Sequence, residues 1–140
     1  MPTVPRIAIF LVLFGALGYF IWDQLQGQPW TWMQTVGICL MIPGFLLWLT
    51  AHIQLGTSFS LTPQARKLVT RGVYSKIRNP IYIFSLVFLT GLALLVRRPL
   101  LLALGVVIVP MQIVRARREA AVLEEKFGEE YRQYRARTWF

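Results

Sequence analysis

Pro80 to Val114 reads PIYIFSLVFLTGLALLVRRPLLLALGVVIVPMQIV: two apolar runs, Pro80 to Val96 and Pro99 to Val114, with only Arg97-Arg98 between them. Neither run alternates polar and apolar residues as a half-buried strand would, and both are long for strands, so the pattern predicts a helical hairpin in an apolar solvent. Pro80 at the start of the first arm suits a first helical turn, where a missing N–H costs nothing. Each arm rises to roughly 25 Å against a hydrocarbon core of about 30 Å. The tip must therefore be reached by tilt, local thinning or snorkelling of the two arginines.

Upstream of the hairpin the chain is equally apolar. Ile7 to Trp22 is uninterrupted between Arg6 and Asp23, and no small-x-small cleavage site follows it, so it reads as a membrane helix over about 5–23. A second span is expected over about 30–55, with Pro43-Gly44 as a kink, and Trp22, Trp30 and Trp32 flank the intervening turn as an aromatic belt. Thr50, His52 and Gln54 make the end of that span more polar. They belong either to the headgroup region or to the mouth of a cavity, where His52 would help position a substrate.

Residues 56–79 form a long loop carrying Arg66, Lys67, Arg71, Lys76 and Arg78 and no acid, which predicts a cytoplasmic location. Four spans then place both termini in the cytoplasm and leave only Arg97 and Arg98 of the basic residues outside. Beyond the hairpin, residues 115–137 predict a cytoplasmic amphipathic helix. Ala120, Leu123, Phe127, Tyr131 and Tyr134 recur at spacings of three and four, and Gly128 is a candidate break. Glu119 lies at the edge of this stripe, one turn after Arg115. It is either a solvated, weakly paired charge or a site residue.

Composition supports the same class. The 140 residues are 56% hydrophobic and 15% charged, with a mean hydropathy of +0.53, so the chain reads as a single all-α membrane domain spanning residues 1–140. The net charge of +9 follows from basic residues gathering on the cytoplasmic side, and no basic stripe interleaved with aromatics points to nucleic acid. Cys39 and His52 are the only residues of their kinds, which excludes an intrachain disulfide, a Cys- or His-based metal site and, in practice, a Ser-His-Asp triad. Gly91 and Gly105 offer small-residue faces on which two copies could pair.

No phosphate cradle, metal cluster or nucleophile with its base is visible, so an enzyme built on this chain would take its reactive group from a cofactor. The segment Arg78-Asn79-Pro80-Ile81-Tyr82 is preceded by Leu55-Gly56-x-Ser58 and Gly72-x-Tyr74. It is followed by Glu119-x-x-x-Leu123-x-x-x-Phe127-Gly128-x-x-Tyr131-x-x-Tyr134. Together these resemble the isoprenylcysteine carboxyl methyltransferase and phospholipid methyltransferase superfamily of integral membrane enzymes, from about Leu55 to Phe140. The resemblance implies S-adenosylmethionine bound at the cytoplasmic face and a lipophilic acceptor supplied from the bilayer. Carried over by position, Arg78, Asn79, Tyr82 and Glu119 would line the cofactor pocket, Gly72 and Tyr74 would shape the loop over it, and Arg78 would position the substrate.

Two positions depart from the family pattern. Its histidine is Asn79 here, and the second glutamate of its Glu-Glu pair is Ala120. Asparagine keeps a donor and an acceptor but cannot titrate, which favours an acceptor that is already anionic. Two other readings compete: a catalytically silent relative acting as a membrane scaffold or assembly partner, and a small transporter subunit.

Overall fold

The computed structural model describes residues 3–56 and 68–139, with side chains from residue 8 onward, and is all-helical. Ser58, Arg66 and Lys67 of the basic loop lie outside the described residues. The order is α1 (Thr3–Leu25), α2 (Trp32–Leu55), a short 3-10 turn (Gly72–Ser75), α3 (Pro80–Leu95), α4 (Leu100–Phe127) and α5 (Glu129–Arg137). Three helices are long and apolar enough to cross a membrane, and α3 is a shorter apolar helix beside them. Side chains such as Leu11, Val12, Val106 and Val107 stand exposed along α1 and α4. In water such surfaces would aggregate, whereas hydrocarbon solvates them, so this is an integral, multi-pass membrane protein.

The tight core of the bundle is the α2–α3 interface, and small residues make it possible. Gly37, Gly44 and Ala51 recur every seventh residue on α2 and are all buried. A Cβ on Gly37 would stand 2.5 Å from Leu95 N, one on Gly44 2.8 Å from Phe88 N, and one on Gly91 would collide with the Met41 backbone. Lipid is as apolar as leucine, so helices associate here through close backbone approach rather than through escape from water. Gly91, read from the sequence as a face for a second copy, is thus consumed within the chain, while Gly105 has open space around it. The Phe45 ring joins this core to α1 through Phe14, at 5.6 Å between centroids, and to α3 through Phe88, at 6.0 Å.

The hairpin tip is tighter than two arginines suggest. Arg97 adopts a left-handed φ of 54°, Arg97 N donates to Leu94 O and Arg98 N to Ala93 O, which together form the double hydrogen bond that usually closes a helix on glycine. Beyond it, Arg97 Nη1 donates to Gln28 Oε1 at 3.1 Å and Arg98 Nε to Gln24 Oε1 at 2.9 Å. The α3–α4 turn and the α1–α2 turn therefore share one end of the bundle.

At the other end, α4 continues through Pro110 to Phe127, and Gly128, with φ 52°, ends it. The helix expected over 115–137 is therefore two, because the left-handed residue redirects the chain into α5. That turn carries Tyr131 and Tyr134 to the loop before α3, where both are buried and the Tyr134 hydroxyl donates to Tyr74 O at 2.8 Å. Trp139 N donates to Lys76 O and Arg78 N to Trp139 O, an isolated parallel bridge that fastens the end of the chain to the same loop.

Candidate functional site

The site begins with how α3 starts. Pro80 at its first position fixes the turn, and the Asn79 carbonyl accepts from Tyr82 N at 3.2 Å and Ile83 N at 3.4 Å, whereas the Asn79 side chain makes no capping bond. Tyr82 thus projects from a rigid first turn toward α4. There its hydroxyl donates to Glu119 Oε1 at 2.8 Å. Arg115, one turn earlier on α4, donates from Nε to the same oxygen at 2.9 Å, and its guanidinium lies 5.9 Å from the Tyr82 ring centre.

Side chains of Arg115 and Glu119 are 31% and 28% exposed, so Glu119 is neither a fully solvated charge nor a buried one. An exposed helical pair at this spacing contributes only about 0.3–0.5 kcal/mol. The third partner, Tyr82, changes its meaning by fixing the carboxylate across two helices. Both donors converge on Oε1, and no donor to Oε2 is found among the described residues.

The loop brings a second group of side chains to this end. Val73 N donates to Gln54 Oε1 at 2.8 Å, and Gly72, with φ 63°, leaves no room for a Cβ against the Gln54 side chain. Gln54 therefore ties the end of α2 to the loop, a bond that only a residue without a side chain at position 72 allows. Tyr74 is buried beneath the loop. Burial, then the neighbouring Tyr134 and Glu119, raise its phenol above the usual range. Burial also pushes Tyr134 up to about 12, with Tyr131 adding to the shift and Arg78 opposing it. Tyr131 is raised by burial against the opposing charges of Arg78 and Arg135. At neutral pH these three phenols are hydrogen-bond donors and not bases.

Arg78 lies beside Tyr131, and its Nε is buried with no hydrogen-bond partner among the described residues. Leaving a buried charged donor unmatched costs about 1–3 kcal/mol or more, so such an atom points to a ligand. The structure therefore gathers Arg78, Tyr82, Glu119 and Tyr74 at one end of the bundle, with Asn79 at the helix start between them. His52 sits on α2, with its ring 4.1 Å from the Trp48 ring and its Nδ1 3.1 Å from the Trp48 carbonyl. A half-open cleft of about 440 Å³ between the loop and α5 is lined by Thr70, Ser75, Lys76, Tyr134 and Arg137, and Glu119 is not part of its lining. No cluster of three potential metal ligands occurs among the described residues.

The sequence profile described as "Phospholipid methyltransferase" matches residues 32–130, which contain the tight α2–α3 pair, the loop and the Tyr82–Glu119 bridge. The chain belongs to the phospholipid methyltransferase family. Among curated relatives, the Arabidopsis thaliana protein named "Protein-S-isoprenylcysteine O-methyltransferase B" is 33% identical over 117 residues, covering 79% of this chain and 59% of its own length. The solved structure of a eukaryotic intramembrane Ras methyltransferase, isoprenylcysteine carboxyl methyltransferase, superposes with a TM-score of 0.63 at 25% identity. That match covers 99% of this chain and 52% of the other. This family member thus spans between half and three fifths of the relatives it resembles.

One pair at this interface carries no signal in the family motifs. Gln112 Nε2 on α4 donates to Ser85 Oγ on α3 at 3.0 Å, two turns below Glu119. Each is an isolated polar residue in an apolar run, which is the sequence signal that could have found them.

Proposed function

We propose that this protein transfers a methyl group from S-adenosylmethionine to a lipophilic, membrane-resident acceptor at the end of the bundle where α3, α4 and the loop meet. The observation that carries the reading is Glu119 fixed from both helices at the end of the bundle that also holds the buried Arg78 Nε, an atom with no hydrogen-bond partner among the described residues. These groups fit the cofactor. Arg78 would donate to its carboxylate, and Glu119 Oε2 would accept from a ribose hydroxyl or the ammonium group. When bound, the sulfonium supplies an electrophilic methyl.

The rest falls to the chain. Tyr82 and Arg115 hold the Glu119 carboxylate in one orientation, so little ordering is left for the moment of binding. Tyr74, Tyr131 and Tyr134 close the loop side with apolar rings and neutral hydroxyls, which helps to exclude water. Since the buried phenols are poor bases, an acceptor that needs no deprotonation suits the site best. The cofactor side is assigned to the cytoplasm by the basic residues of the loop.

The test is transfer of label from methyl-labelled S-adenosylmethionine to added lipophilic acids, thioethers and phospholipid amines by the purified protein in nanodiscs. Label in one acceptor class, lost in Glu119→Ala, is expected. A catalytically silent relative is the second reading, favoured by Asn79 and Ala120 standing where the family pattern has a histidine and a second glutamate. Absence of label from every class alongside absent cofactor binding would establish it.

A further inference from the structure

Hydroxyls within the apolar helices usually satisfy themselves on their own backbone. Thr50 donates to Leu46 O and Thr90 to Leu86 O, both at 2.8 Å, and neither asks anything of another helix. Ser85 behaves differently. Its Oγ donates to Tyr82 O at 2.8 Å and also accepts from Gln112 Nε2 on α4 at 3.0 Å.

Gln112, Arg115 and Glu119 follow one another at spacings of three and four on one face of α4, and Tyr82 and Ser85 face them from α3. Gln112 lies about 10 Å along α4 from Glu119, on the side away from the loop. The two helices are less closely packed here than α2 and α3, and no residue of α4 is buried. The interface is therefore a loose one along which Gln112, Ser85, Tyr82 and Glu119 form a line of polar groups.

A glutamine in such a place has spare capacity. One N–H is given to Ser85; the second N–H and Oε1 have no partner found among the described residues. At membrane depth an unmatched amide is expensive unless something polar visits it. Arg115, three residues on, is paired with Glu119 seven residues on, so it is the positive end of that ion pair that lies nearer Gln112, which favours an anion there over an ammonium.

We propose that Gln112, oriented by Ser85, is the acceptor-reading residue of this protein, and that its second N–H donates to a carboxylate oxygen of an amphiphile that inserts between α3 and α4 from the bilayer. Ser85 is a positioning residue that acts through Gln112. The inference rests on the methyl-transfer reading for its meaning, but the binding that tests it does not require turnover.

The probes are N-acetyl-S-farnesylcysteine and its methyl ester, which differ only in the carboxylate. Each is titrated into the protein in nanodiscs containing S-adenosylhomocysteine, with cofactor affinity measured separately for every variant. The wild type is expected to prefer the acid over the ester. Gln112→Met, which keeps the shape and removes the amide, should cut that preference about tenfold, and Ser85→Ala about threefold. Cofactor affinity should stay within about twofold in both, unlike a general loss of folding, which would lower it. An acid-to-ester ratio unchanged in Gln112→Met, or no acid preference in a wild type that binds the cofactor, would overturn the proposal. A Gln112-dependent acid preference in a wild type that fails to bind the cofactor would leave this inference standing and sink the methyl-transfer reading instead.

Discussion

The two faces of α3 differ in kind. Against α2 it presents Gly91 to Gly37 and Met41 so closely that no Cβ fits, and the interface is dry and backbone-to-backbone. Against α4 it presents Tyr82 and Ser85, and the contacts are a few long polar side chains meeting Glu119 and Gln112 across a looser gap. The first arrangement gives rigidity without specificity of chemistry; the second gives chemistry that would drift without a rigid wall behind it. A membrane protein of this size that holds a polar site needs both, and α3 supplies them on opposite sides.

The comparison can be broken most severely on the dry face. Gly91→Leu should separate α2 from α3, costing about 3 kcal/mol because backbone atoms and not flexible side-chain ends stand in the way. Thermal denaturation in detergent should show a large fall in Tm, whereas Gly105→Leu, at a glycine with open space, should change it little. A comparable fall in both would mean that the α2–α3 contact is not the core.

The polar face should respond more mildly in stability and more strongly in binding. Tyr82→Phe removes one of two donors to Glu119 Oε1 and should cost about 1 kcal/mol of stability, with cofactor affinity falling about fivefold because the carboxylate is less well fixed. Affinity unchanged beside a lowered Tm would assign Tyr82 to packing alone.

Tyr134 offers a pH probe of how α5 is fastened. Its folded pKa is raised, to about 12, by burial, so the neutral phenol is the form that the fold favours. Its contribution is therefore fully present below the ordinary value of about 10 and is lost as pH climbs from about 10 through about 12. Tyr134→Phe should flatten that alkaline decline in Tm while losing about 1 kcal/mol at neutral pH with the bond to Tyr74 O. At the far end of the hairpin, Arg97→Gly should relieve the left-handed backbone and raise stability by up to about 1 kcal/mol, offset in part by the lost contact with Gln28.

Much of this architecture was legible in the sequence because a membrane simplifies the code. Hydropathy alone located the hairpin and the two earlier apolar helices, Gly128 signalled the end of α4, and the Arg78–Tyr82 and Glu119 motifs came together at one end of the bundle. What stayed hidden depends on helix pairing. Gly37 and Gly44 look like ordinary glycines until the register against Leu95 and Phe88 is known, and Gly91 was assigned outward for the same reason. Gln54 read as a cavity or headgroup residue, but its partner is a backbone N–H nineteen positions away. Ser85 and Gln112 are each unremarked in their own helices, and only their juxtaposition gives them a role. The half-exposed pairing of Glu119 with Arg115 was expected as one alternative; the added bond from Tyr82 is what separates it from a surface ion pair.

The central claim is that Glu119 anchors the cofactor. Glu124, one turn and a residue further along α4, provides the control, since its exposed ion pair with Arg132 spans 3.7 Å and contributes little. Calorimetric titration of the detergent-purified protein with S-adenosylmethionine and its demethylated product should show binding by the wild type and by Glu124→Ala, and at least a tenfold loss of affinity in Glu119→Ala. Equal losses in the two variants, or no heat from the wild type at millimolar cofactor, would contradict it.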